Sequence, residues 1–336
     1  MKEKGSSSAE RRLSLVVSKT AAGCQLKPVA LRVEALRKSY GTNEAVGGVS
    51  FDVHEGEIFG LLGPNGAGKT TVMSILATEH RPSGGDAVLF GHSLRREPRV
   101  VRQMIGLAPQ EIALYPMLSA AENLRFFGHV YGVRGEGLEN RIDELLHFVG
   151  LKERGNDYVA TFSGGMRRRL NLAVALVHRP TLILLDEPIT GVDPQSREHI
   201  LEIVRRLRQA GCAILYTTHY MEEAEQLCDR LGILDHGKLL AMDALGGLLA
   251  DMQYAEIIEM RGLPSGADLA PVRAAGGVCR IESNREVVRL FVRSAANLLG
   301  PLQRLINRSG RNVKLQIAPL RLEDLFLHLT GKELRD

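Results

Sequence analysis

The chain has 336 residues, 44% of them hydrophobic and 24% charged, which is ordinary for a globular protein and long enough for two folding units. Its net charge of +4 is accounted for within residues 1–28, where Lys2, Lys4, Arg11, Arg12, Lys19 and Lys27 face only Glu3 and Glu10; the neutral remainder carries no nucleic-acid footprint. No run of about eighteen apolar residues could form a membrane span, and Cys24, Cys212, Cys228 and Cys279 lack metal or redox spacing, so reduced, inert thiols are expected.

In chain order, the Arg11-Arg12 pair ahead of "LSLVV" invites a secretory or twin-arginine reading. The apolar run is short and broken by Ser14, so residues 1–28 read as a disordered basic tail. From 29 to 247 apolar runs at 57–63, 181–187, 212–218 and 230–237 alternate with helical stretches at 69–78, 194–209 and 220–228. Continuous apolar strands between helices predict an α/β core whose parallel sheet is covered on both faces. Between about 115 and 160 the pattern is helical, and Ser119 with Glu122 has capping-box spacing. Residues 248–336 carry strand signals at "AEIIEM" and "VVRLFV" and a closing helix "LEDLFLHLTG", predicting a small α+β appendage.

Residues 63–70, "GPNGAGKT", fit G-x-x-x-x-G-K-[ST] between an apolar strand and a helix. The glycines let backbone N–H groups wrap phosphates, Lys69 reaches the β/γ oxygens, and the Thr70 hydroxyl can ligate Mg²⁺. A metal also needs a carboxylate, and "LILLDEP" places Asp186 and Glu187 at a strand end, as metal ligand and water-polarising base or as plain capping groups. Gln110, His219 and Asp193 follow strands in the same unit; each also has a bland reading, a solvated Gln, a core His and a helix cap before Pro194. A second Ser-Gly-Gly turn, "FSGGMRRRL" at 162–170, opens onto another helix, and Arg167 to Arg169 read as its solvated start.

With these residues in place, residues 28–245 resemble the ATP-binding subunit of an ABC transporter, a P-loop NTPase cassette. The resemblance implies that Tyr40 stacks on adenine and that Gly63, Pro64, Asn65, Gly66, Ala67, Gly68, Lys69 and Thr70, with Thr71, form the Walker A nucleotide site. It makes Gln110 the Q-loop residue and a second Mg²⁺ contact, Asp186 the Walker B ligand, Glu187 the catalytic base, His219 the switch histidine and Asp193 the D-loop acid. Ser163, Gly164 and Gly165 stand in the signature motif, which in this family closes over the ATP of a second cassette.

Phe162 and Met166 depart from the usual L-S-G-G-Q signature, and Met166 cannot supply the amide that reaches the opposite ribose. Met166 and the ending "LRLEDLFLHLTGKELRD" are similar to the ABC-2 exporter subgroup of daunorubicin-resistance and nodulation-factor ATPases. The resemblance therefore implies an ATPase using ATP and Mg²⁺, cytoplasmic and peripheral on the inner face of the cell membrane. Its implied partners are a second cassette, expected as a homodimer, and an integral membrane permease of about six spans, with no nucleic acid. The alternatives are an importer ATPase, or a soluble ABC ATPase of DNA repair or translation. The single Walker A motif and the absence of heptads or CxxC count against the soluble class.

Overall fold

The computed structural model describes residues 27–331, apart from 265, 285, 310 and 311. Of the expected tail only Lys27 and Pro28 are described; Lys27 Nζ donates to Gly56 O at 2.8 Å and Glu55 N donates to Pro28 O at 3.0 Å. The described residues form two compact units that divide after Met242, a few residues ahead of the expected start at 248.

The first unit begins with β1 (Val29–Tyr40), β2 (Asn43–His54), β3 (Ile58–Leu62), α1 (Lys69–Leu76), β4 (Gly84–Leu89), β5 (His92–Ser93), α2 (Pro98–Met104) and β6 (Ile105–Ala108). It continues with α3 (Ala120–Val130), α4 (Glu136–Phe148), α5 (Gly164–Ala175), β7 (Leu182–Asp186), α6 (Pro194–Gln209), β8 (Ala213–Thr218), α7 (Met221–Leu227), β9 (Arg230–Asp235) and β10 (Lys238–Asp243). One sheet runs β2-β1-β4-β5 with antiparallel pairings; the other runs β10-β9-β3-β8-β7-β6, parallel from β9 through β6.

Side chains alternate across a strand, so a strand buried on both faces must be apolar throughout. Phe59, Leu61, Leu182, Leu184, Ala213 and Leu215 join one core with the antiparallel sheet and α1, while Ile58, Ile183, Leu185, Ile214 and Tyr216 join a second core with α3 to α6. That second core fixes the helical segment on the sheet. Its first helix starts at the expected capping box, where Glu122 N donates to Ser119 Oγ at 3.2 Å and Ser119 N donates to Glu122 Oε2 at 2.7 Å.

The second unit holds α8 (Leu245–Ala250), β11 (Glu256–Arg261), α9 (Ala270–Ala274), β12 (Val278–Ser283), β13 (Val287–Val292), α10 (Leu299–Ser309), β14 (Lys314–Pro319) and α11 (Leu322–Thr330). Its strands form an antiparallel sheet in the order β12-β13-β11-β14, and Ile258, Met260, Leu290 and Val292 pack with Val272, Leu298 and Leu302. No described helix is long and apolar enough to cross a membrane.

Candidate active site

Open parallel sheets present ligands at the carboxyl ends of their strands. Here β3, β6, β7 and β8 deliver Gly63, Gln110, Glu187 and His219 at or just beyond those ends. Beside them lies a cleft of about 490 Å³, lined by Asn65, Gly66, Gly68, Lys69, Thr70 and Thr71 of the loop and α1, by Gln110 and Glu187, and by the unanticipated Asn43, Glu44, Ala45, His236 and Gly237. His236 and Gly237, both at positive φ, make the two-residue turn between β9 and β10. Gly237 N donates to Ala67 O at 2.9 Å, which seats that turn under the phosphate loop.

The loop meets α1 at Gly68, whose φ of 105° and closeness to Ala45 O, 2.6 Å from where a Cβ would sit, leave room for glycine alone. No acid lies in the first turn of α1, so its N-terminal N–H groups keep their positive character for an anion.

Lys69, only 4% exposed, donates to Gly63 O at 2.7 Å and Pro64 O at 3.2 Å and lies 3.2 Å from Glu187 Oε1. Burial lowers its pKa, against the raising pull of Glu187 and Asp186. Glu187, 5% exposed, receives polar groups on its other oxygen too: Gln110 Nε2 donates to Oε2 at 3.3 Å and Thr190 Oγ1 at 3.4 Å. His219 Nδ1 lies 3.1 Å from the same oxygen but off hydrogen-bond alignment, so it acts as a close electrostatic neighbour. Burial alone would raise the Glu187 pKa; His219 and Lys69 outweigh it and hold the carboxyl below its ordinary range. Its backbone takes a φ of 45°, uncommon outside glycine, which turns the chain sharply after β7.

Asp186 lies behind Glu187. Burial raises its pKa, and hydrogen bonds with Thr217 and Thr70 work against that rise. Thr217 supports both acids, its hydroxyl donating to Asp186 Oδ1 at 2.6 Å and accepting from Glu187 N at 3.1 Å. The turn carrying His219 is also pinned: Tyr220 N donates to Thr218 Oγ1, which donates to buried Glu223 Oε2, both at 2.9 Å.

Thr70, Asp186 and Gln110 offer a hydroxyl, one carboxylate and an amide oxygen. Among the described residues no group of three or more His, Cys, Asp or Glu could hold a metal by itself. That hard, sparse donor set fits Mg²⁺, which keeps waters and takes its remaining ligands from substrate phosphates, and does not fit a dedicated protein cage.

The other expected residues lie outside this cleft. Tyr40 ends β1 with its ring exposed, edge-on to His80 at 6.1 Å and 4.9 Å from Lys38 Nζ. Ser163 caps α5, accepting from Met166 N at 3.2 Å, and exposed Asp193 caps α6, accepting from Ser196 N at 3.0 Å. Phe162, which stands where the usual signature has Leu, is buried in the second core, as is Ile189 ahead of Asp193. The reading of Arg167 to Arg169 as a solvated helix start needs correction, because only Arg167 is exposed. Arg168 donates to Gln110 O, and Arg169 donates to Val149 O at 2.8 Å. Consecutive residues fan around a helix, and two of these three meet bare carbonyls of neighbouring loops.

A phosphate loop opening α1, two strand-end acids and a strand-end histidine and glutamine around one carboxylate define a P-loop ATPase of the ATP-binding-cassette class. The sequence matches the ABC transporter family over residues 46–190. It is 40% identical over 311 residues to the linearmycin resistance ATP-binding protein LnrL of Bacillus subtilis, covering 91% of this chain and all of that protein. It is also 40% identical over 309 residues to Nod factor export ATP-binding protein I of Cupriavidus pinatubonensis, covering 91% of this chain and 92% of that protein. Among solved structures, an ATP-binding subunit of an ABC transporter superposes with a TM-score of 0.61 at 31% identity, over 66% of this chain and 92% of that one. A dimeric cassette in a post-hydrolysis state with ADP and Pi superposes with a TM-score of 0.59 at 26% identity, over 64% of this chain and 98% of that one. The chain belongs to the ABC transporter family as an ATP-binding subunit, and its relatives bear out the exporter subgroup expected from Met166 and the closing segment.

Proposed function

We propose that two copies of this chain close head to tail over two ATP molecules with Mg²⁺ and drive export through a separately encoded permease of about six spans, from the inner face of the cell membrane. The convergence of Lys69, Gln110, His219 and Thr190 on the two oxygens of Glu187 carries this reading. A carboxylate held ionised at a cleft edge is suited to accept a proton from water attacking a terminal phosphate.

Lys69 directs its ammonium at Gly63 O, Pro64 O and Glu187. A phosphate that reaches Lys69 must replace one of the three, and replacing Glu187 frees that carboxylate for water. Thr70, Asp186 and Gln110 would hold Mg²⁺, which when bound neutralises phosphate charge. Tyr40, exposed near the rim residues Asn43 and Glu44, is available to stack on adenine.

Ser163 and the Gly165 N–H lie outside their own chain's cleft, as groups serving a partner's nucleotide must. Hydrogen bonds to charged groups contribute about 1.5–3 kcal/mol each, so two per site over two sites give roughly 6–12 kcal/mol before ordering costs. Swinging a two-state equilibrium from mostly open to mostly closed takes about 5.5 kcal/mol, so the γ-phosphate can act as the switch. Tyr115 and Met117, in the stretch between Gln110 and α3, and Phe126 of α3 are exposed, with the Tyr115 and Phe126 rings edge to face, an apolar surface that suits a cytoplasmic helix of the permease.

The test is the Glu187→Gln chain with ATP and Mg²⁺, in size-exclusion chromatography with light scattering. The expected result is a stable dimer without phosphate release. A monomer under all nucleotide conditions, with or without permease, would overturn the clamp.

A further inference from the structure

Arg168 stands two residues beyond Met166, and its guanidinium reaches the loops that follow β6 and β7. Nη1 donates to Gln110 O and, at 3.4 Å, to Pro109 O; Nη2 donates to Thr190 O at 3.4 Å. Asn171, one helical turn on, adds a second hold at Pro109 O at 3.4 Å. Of the three carbonyls that accept from Arg168, two belong to Gln110 and Thr190, the residues whose side chains donate to Glu187 Oε2. One guanidinium on the signature helix thus ties down both of the side chains that donate to Glu187 Oε2. A planar fork with five donors can bridge separate carbonyls, which a single ammonium cannot.

We propose that Arg168 is a positioning residue that ties the signature helix to the Gln110 and Thr190 loops, so that a partner's ATP docking at Ser163 sets the alignment of this chain's own Glu187. The proposal rests on the head-to-tail dimer. It makes the two ATP sites report on each other through one side chain that touches neither nucleotide. Coupling of this kind needs an element whose arrangement both sites bias, and α5 with its two attached loops supplies one.

The experiment compares Arg168→Met and Arg168→Lys with the wild type, as full chains with permease in proteoliposomes. The readouts are kcat, KM for ATP, the Hill coefficient, and nucleotide affinity of the isolated chain. In Arg168→Met, kcat should fall roughly tenfold or more, as displaced catalytic groups do, and the Hill coefficient should approach 1. KM and isolated-chain affinity should stay within about twofold. Arg168→Lys, which can hold one carbonyl at a time, should lose less kcat, and it carries the same split should the Met variant fold poorly. Wild-type kcat and Hill coefficient in both variants overturn the proposal, as does a parallel loss of kcat and nucleotide affinity, the mark of a merely structural role. Dimerisation of Glu187→Gln alone separates the two readings: no dimer there removes the clamp and this coupling together, whereas a dimer there with unaltered Arg168 variants removes only the coupling.

Discussion

Arg141 and Arg169 cap each other's helices. Arg141, early in α4 and 1% exposed, donates to Leu176 O at 2.5 Å and Val177 O at 3.4 Å beyond the end of α5; Arg169, in the first half of α5, donates to Val149 O and Gly150 O beyond the end of α4. The last carbonyls of a helix have no partner within it, so each cation supplies what the other helix lacks and also faces the negative end of its dipole. The exchange locks the signature helix to the helical segment as one body, which is what a motif acting on a partner's nucleotide requires.

Arg141→Met should therefore cost about 3 kcal/mol, because it removes the buried charged donor shared by Leu176 O and Val177 O. Arg169→Met, at a half-exposed site, should cost about 1 kcal/mol. For a unit of this size that corresponds to roughly 6–12 °C and 2–4 °C in Tm. Urea denaturation of both variants checks the order, and an equal or reversed ranking would mean that the caps are decorative.

Lys69→Met removes the donor to Gly63 O and Pro64 O together with the cation beside Glu187. Losing one charge-assisted contact to phosphate, worth about 1.5–3 kcal/mol, should weaken nucleotide binding roughly 10- to 100-fold. Titration with a fluorescent nucleotide measures it, and an undiminished affinity would place the phosphates elsewhere.

Gln110, Glu187 and His219 were legible because each is a polar group at the end of an apolar strand, a pattern linear in sequence, whereas Thr190, which also donates to Glu187, carried no such mark. Thr217 escaped because a threonine inside an apolar run reads as strand packing, although it holds both acids. The antiparallel sheet escaped for another reason. Its β1–β2 ladder slips register at several points, including between Val33 and Leu36, with Ala35 at a φ of 44°, so the period-two alternation that marks a strand is broken. The arginine ties were illegible because their acceptors are backbone carbonyls from 19 to 59 residues away, which leave no side-chain signature at all.

His178 gives the fold a pH dependence. Its ring stacks on Tyr131 at 3.7 Å, Nε2 lies 2.9 Å from Ile105 O, and burial pushes its pKa down to about 4, against the raising effect of the Ile105 hydrogen bond. The unfolded chain takes up this proton near pH 6.5 while the folded chain resists until about 4, so the unfolded state binds more protons across that window. The contribution is complete above pH 6.5 and fades as pH falls towards 4, by up to about 3 kcal/mol. Urea midpoints measured from pH 7.5 to 4 should drop less steeply in His178→Gln than in the wild type; parallel slopes would rule His178 out as the source.

Gly165 bears on the signature most directly. It is buried against the start of α6, and a Cβ there would collide with Ser196 Oγ and Cβ, beside Asp193 Oδ2 at 3.5 Å. Alanine keeps the N–H that would serve the partner's ATP and favours helix by about 1 kcal/mol, so on local grounds Gly165→Ala should be harmless. The collision predicts the opposite: the turn is displaced from α6, and ATP hydrolysis falls roughly tenfold or more while nucleotide binding by the isolated chain is retained. Ser196→Gly removes the obstructing side chain and keeps the backbone N–H that Asp193 caps. The double variant Gly165→Ala/Ser196→Gly should therefore recover most of the lost turnover. A double variant no faster than Gly165→Ala would show that the glycine is needed for its backbone freedom or for space on the partner's side, and not for its fit against α6.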